Sequence, residues 1–243
     1  MALALEASVS SRHLSFLETG RSNPSQGMVL RLLGALDVPP WDRNRWLLAA
    51  GFAPAYTRSH LADDALSPVW QAVKLHLERH EPFPAYAMDG AWNVVAANRA
   101  FKAAITSVGG VTEAKGNVLR LLCDPELLRP SVTNWQAVAQ AVLHRVRCQL
   151  DSPEPPPALA AVVESIRSYP DVDALLTSKE QPLRPEPIIP IEVRNGPDTL
   201  RWLTTLVTFG GAQDLAVSEL VIECFFPADT ATETLAKAMA QGF

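Results

Sequence analysis

The sequence predicts an α+β protein: an all-α head followed by a domain in which helices interrupt an antiparallel sheet. Three observations predict it. The first 53 residues hold four helical segments, set apart by capping, turn and stop residues. An Asp89-Gly90 turn lies between two short strand-forming runs, 85–88 and 92–97. Three further β-branched and aromatic runs, 188–193, 200–209 and 219–226, crowd the C-terminal end. The first hairpin and the last three strands must then meet across the helices between them, giving a five-stranded sheet.

The elements follow in order. Residues 2–7 are an Ala/Leu/Glu run, a strong helix former, broken at Ser8-Val9. Ser10 is an N-cap, because its hydroxyl can accept a bond from an orphan backbone N–H. Gly20 is a stop, because glycine enters the left-handed region without penalty. Between them Leu14 and Leu17 face inward, while Ser11, Arg12 and Ser15 face outward with His13 flanking. Arg21-Ser22-Asn23-Pro24-Ser25 is a turn, 28–36 is the next helix, and Asp37-Val38-Pro39-Pro40 closes it. Residues 42–51 form a further helix ended by Gly51. The arrangement is a helix-turn-helix, with an outer face that is small, hydrogen-bonding and cationic, as entry into the DNA major groove requires. Ser10, Ser11, Arg12, His13, Ser15, Arg21 and Asn23 are the expected DNA contacts. The head occupies 1–53, a linker 54–66 and a second domain 67–243.

In the second domain Ser67-Pro68 starts a helix through His80, with proline where its missing N–H costs nothing. Asn98 caps a helix over 99–105, and 117–122 leads into the Asp124-Pro125 loop. Residues 134–150 are amphipathic, with Val138, Ala141, Val142 and Val146 on one face. A proline-rich loop at 151–157 precedes short helices at 158–169 and 172–176. An irregular connection with four prolines covers 180–190. Asn195-Gly196-Pro197 and Gly210-Gly211 with Gln213-Asp214 are turns between the late strands, and 228–239 is the last helix.

The run Val9-Ser10-Ser11-Arg12-His13-Leu14-Ser15-Phe16-Leu17-Glu18-Thr19-Gly20-Arg21, with Asn23-Pro24-Ser25 and Leu36-Asp37-Val38-Pro39, resembles Cro/C1-type (XRE) transcription regulators. That resemblance implies a five-helix head whose second helix opens with Ser-Gln. Here Met1-Ala2 stands where that helix should already be under way, and Ser8 stands where the family usually has a turn glycine. The head is therefore expected to lack its first helix and the basic partner of Glu18, through a start assigned too far downstream or a truncated gene. The Asp89 to Asn98 hairpin, the Asn134-Trp135 helix and the stretch from Thr208-Phe209-Gly210 to Pro227-Ala228-Asp229 resemble MmyB-like transcription regulators over 85–243. That resemblance implies a PAS-like ligand-binding domain with a cavity for a small apolar molecule, fatty acids first. Trp135 and Phe209 would supply walls. Arg120 and Arg145 would anchor a carboxylate through the guanidinium fork. Asn134, the expected N-cap of its helix, completes the ligand-binding set.

Charge and cysteines agree with a cytoplasmic regulator. The net charge is −5, yet residues 1–60 hold six arginines, no lysine and four acidic residues. An acidic body with a mildly basic head confines nucleic-acid contact to one end. Three distant cysteines make neither a disulfide framework nor a zinc site. No apolar run approaches the ~20 residues that span a membrane. No catalytic constellation, metal site or cofactor motif is found. His76 and His80 lie four apart, but Leu77 stands where the zinc-protease pattern needs Glu, so a solvated face is expected. Cys148 is expected to be buried packing, and Glu219 and Glu223 to be edge or solvent-facing carboxylates of one strand. The expected protein is a homodimeric, ligand-responsive regulator of a double-stranded DNA operator. The rival is a sensor or interaction protein that has lost DNA binding by truncation.

Overall fold

The computed structural model describes residues 2–38, 40–107, 116–152, 155–178 and 188–241. Gly109-Gly110, which the sequence reads as turn glycines, and most of the 180–190 connection lie outside them. Four helices open the chain: α1 (Ala2–Glu6), α2 (Ser11–Glu18), α3 (Gln26–Ala35) and α4 (Pro40–Ala49). They are followed by α5 (Ser67–Arg79), β1 (Ala85–Met88), β2 (Val94–Ala97), α6 (Arg99–Ser107), α7 (Val118–Cys123), α8 (Trp135–Leu150), α9 (Leu159–Ile166) and α10 (Val172–Thr177). The chain ends with β3 (Ile191–Asn195), β4 (Asp198–Thr208), α11 (Leu215–Glu219), β5 (Val221–Pro227) and α12 (Thr230–Gln241).

The chain divides into two compact units. One comprises Met1–Leu61, Ser152–Glu154 and Gly210–Ser218; the other holds the rest. In the first, the Ser10 hydroxyl accepts from His13 N at 3.2 Å, and Gly20 at φ +68° ends α2. Ser25 caps α3 in the same way, at 3.3 Å. Val29, Leu33 and Leu47 form the buried centre. Ser8 sits at φ +54°, a region that costs an L-residue roughly 1–2 kcal/mol. The turn between α1 and α2 therefore suits the glycine that the resemblance expects there.

The segment after α4 is tied down by side chains. Buried Asn44 accepts from Ala55 N and Tyr56 N, both at 3.0 Å, and donates to Tyr56 O at 2.8 Å. Residues 210–218, assigned to the second domain by sequence, group with the head. Asp214 accepts from Ser59 N at 2.8 Å, and Leu215 N donates to Thr57 O at 2.8 Å. Between the turn and β5 the structure adds a short helix, α11, where the sequence carries only turn signals. Turn glycines precede it, and Asp214 caps it by accepting from Ala216 N and Val217 N. Burial pushes the Asp214 carboxyl up, but the bonds from Ser59, Val217 and Ala216 together hold it below the ordinary value.

In the second unit the five strands form one antiparallel sheet in the order β2-β1-β5-β4-β3. The first hairpin and the last three strands meet through β1 and β5, where Tyr86 pairs with Glu223. Alternation splits the faces. Ala85, Ala87, Ile222 and Cys224 pack with Val73 and Leu77 of α5. Tyr86 and Met88 pack on the opposite side with Leu119, Leu143, Val146 and Ile166 of the middle helices. Both faces are covered, so both rows read as apolar. In the hairpin, Asp89 accepts from Ala91 N and Asn93 N, each at 2.9 Å. The positive φ falls on Trp92, at +66°, while a Cβ on Gly90 would meet Glu219 Oε2 at 2.6 Å and Pro156 Cγ at 2.9 Å. Glycine is needed there for room. Asn98 does cap α6, accepting from Phe101 N at 2.9 Å, and also holds Ala85 N at 3.1 Å.

Candidate functional site

A cavity of about 180 Å³ lies within the second unit, against the sheet face that carries Tyr86, Glu223, Phe225 and Trp202. Phe101 and Ile105 of α6, Leu121 and Leu122 of α7, and Val138 and Val142 of α8 wall it. Ile191 and Val193 of β3 and Ala236 and Met239 of α12 complete the lining. Its volume is below the roughly 300–1,000 Å³ of pockets for drug-sized ligands, and its lining is almost wholly apolar. Besides the indoles of Trp92 and Trp202, four residues of the lining have polar side chains: Tyr86, Glu223, Arg194 and Asn195.

Two of the four are buried together. Tyr86 is 3% exposed and Glu223 8%, and the Tyr86 hydroxyl donates to Glu223 Oε2. Burial raises the Tyr86 pKa well above 10, the Glu223 charge and hydrogen bond add to this, and the charge of Arg145 opposes it. Arg194 is exposed and belongs to the edge strand β3. Glu223 corrects the expectation of an edge or solvent-facing carboxylate. Glu219 is not in the strand at all but ends α11.

None of the five ligand-binding residues expected from sequence lines the cavity. Arg120 donates from Nε to Ser165 Oγ at 3.3 Å. Arg145 stacks its guanidinium carbon 4.9 Å from the centroid of the Trp92 ring. Trp135 donates its indole N–H to Leu122 O at 2.7 Å and lies under Arg129. Asn134 does not cap its helix. It donates to Pro190 O at 2.7 Å and accepts from Glu192 N at 3.1 Å, joining the start of α8 to β3. Phe209 packs with the α5 side of the sheet.

His76 and His80 are half-buried and turned toward β5 rather than on a solvated face. His76 Nε2 lies 3.2 Å from Cys224 Sγ, and His80 Nε2 lies 2.8 Å from Phe225 O. Cys148 is exposed, with His144 Nδ1 3.8 Å from its sulfur, whereas Cys123 and Cys224 are buried. Among the described residues no cluster of His, Cys, Asp and Glu could hold a metal ion, and no helix is long and apolar enough to cross a membrane.

In the head, Ser10, Ser11, Arg12, Ser15, Arg21 and Asn23 are all exposed, and His13 is half-buried. The Arg12 guanidinium carbon lies 5.4 Å from the Phe16 ring centroid, one turn along the same helix.

No curated protein sequence matches the chain. Among solved structures, the PAS domain of Bordetella pertussis BvgS is similar at 15% identity and a TM-score of 0.31, covering 72% of this chain and 98% of that one. RsLOV D109G is similar at 13% identity and a TM-score of 0.33, covering 73% and 85%. The sequence profile of the MmyB-like transcription regulator ligand binding domain matches residues 69–238, and the chain belongs to that family.

Proposed function

We propose that the protein is a ligand-responsive transcription regulator whose cavity holds a single alkyl-chain molecule and whose α2 face contacts an operator. The observation that carries the ligand half is the small cavity with almost continuous apolar lining. It suits a chain of methylenes better than a polar metabolite, and burying each CH₂ contributes about 0.8 kcal/mol. A fatty acid is the member of this class that the family resemblance implies. What supports the DNA half is the capped α2 with its exposed Ser11, Arg12 and Ser15. The head acts as a homodimer, since two half-sites would be read together.

Coupling follows from chain connectivity. Trp202 on β4 and Glu223 and Phe225 on β5 line the cavity, and the connection between these strands carries Asp214. Asp214 and Leu215 hold Thr57 and Ser59, and Asn44 fixes the same segment to α4. A ligand that prefers one arrangement of β4 and β5 biases that clamp, and DNA affinity changes by the differential affinity.

The test selects duplexes from a random pool at fixed salt, then measures affinity with and without an alkyl-chain ligand. Specific binding that changes with ligand supports the proposal. Arg12→Ala should weaken it by about 1–3 kcal/mol if Arg12 reads a base edge. Failure to enrich any sequence contradicts the DNA half, and enrichment unaffected by ligand contradicts the coupling.

A further inference from the structure

The cavity carries a feature that an alkyl-carboxylate ligand does not explain. Glu223 lies on β5, with β1 on one side and β4 on the other, so it faces the cavity from the middle of the sheet. Its partner across the register is Tyr86, whose one hydroxyl proton is already donated to Glu223 Oε2. What the pair still offers a ligand is acceptors: the second carboxylate oxygen and the lone pairs of the tyrosine oxygen. Among the described residues Glu223 has no ion pair. Neither Arg120, which donates to Ser165, nor Arg145, which stacks on Trp92, is part of the lining. The cation that does reach the lining, Arg194, is exposed on the edge strand, away from the middle of the sheet.

Resting on the reading of this cavity as an alkyl-chain site, we propose that its polar anchor is the Tyr86–Glu223 pair and that it selects a chain ending in a neutral hydroxyl over one ending in an ionised carboxylate. A hydroxyl donates its proton to Glu223 and fills an acceptor left open by Tyr86. A carboxylate set there brings a second negative charge against the buried Glu223 and finds the Tyr86 proton already donated. Sites built around a buried hydrogen-bonding group reject ligands that leave it unpaired far more strongly than apolar walls reject a change of length.

The experiment is calorimetric titration of the full chain with 1-octanol and with octanoate at pH 8, where octanoate is ionised. The same titrations are made on Glu223→Gln, with its melting temperature recorded first. In the unsubstituted protein octanol should bind at one site per chain about tenfold or more tighter than octanoate. In Glu223→Gln the new amide N–H₂ can donate to a carboxylate, so the preference should fall to parity or reverse. Octanoate binding as tightly as octanol to the unsubstituted protein overturns this inference and leaves the alkyl-chain reading standing. So does a preference for octanol that Glu223→Gln leaves unchanged. Binding of neither probe overturns the alkyl-chain reading, and this inference with it. The ranking on the unsubstituted protein decides even if the variant fails to fold.

Discussion

Burial separates the three cysteines chemically. Cys123 is fully buried, and desolvation pushes its thiol up to about 12 against the opposing charge of Arg129. Burial also raises Cys224, and the Glu223 charge adds to it. Cys148 is exposed on α8. Thiolate is the reactive form. A colorimetric thiol assay at pH 8 should therefore find one fast-reacting cysteine in the native chain, lost in Cys148→Ser, and all three in denaturant. Three fast thiols in the native protein would contradict the burial. At this scale, what was legible in the sequence was local. Ser10, Gly20 and Asn98 act on groups within a few residues, so their roles follow from position. Glu223 was not legible, because strand alternation says which residues share a face and not what covers that face. The exposure of Cys148 was not legible either, because it depends on which face of α8 the rest of the fold covers.

At the scale of elements, the connection between β4 and β5 is the part that the sequence concealed. Its glycines and Gln213-Asp214 read as a turn, yet they lead into α11, and Asp214 serves two structures at once. Asp214→Asn keeps one acceptor oxygen for the cap but replaces the oxygen that receives Ser59 N. It should loosen the clamp by about 1 kcal/mol and speed amide exchange at Ser59 and Leu215. The acid dependence has a definite sign. A carboxyl held below its unfolded value of about 3.9 stabilises above that pH, and the contribution is lost as pH falls through the folded value. Exchange at Ser59 relative to an unstructured amide should therefore rise in that acid range in the native sequence and not in Asp214→Asn. Equal protection in both proteins at pH 6 would remove Asp214 as the latch. The strands themselves were legible to within a few residues, because turn residues and β-branched runs mark them directly. The α2 boundaries were legible for the same reason, since both caps are in the sequence.

For the whole molecule, the order of two strands, helices and three strands was enough to require one mixed domain, and the β1–β5 pairing supplies the closure it demanded. The lining of the cavity was beyond the sequence, since it draws on residues from Pro82 to Ala240 that only the fold assembles. The central claim is that this cavity holds an alkyl chain, and native mass spectrometry of the full chain purified from cells tests it most directly. The account predicts a bound single-chain lipid that denaturing extraction releases, or, in lipid-free protein, a melting temperature that rises with added chain as ligand linkage requires. Val142→Trp, which fills the cavity from α8, should abolish both while remaining folded. An empty protein whose melting temperature does not respond to any alkyl chain would contradict the account.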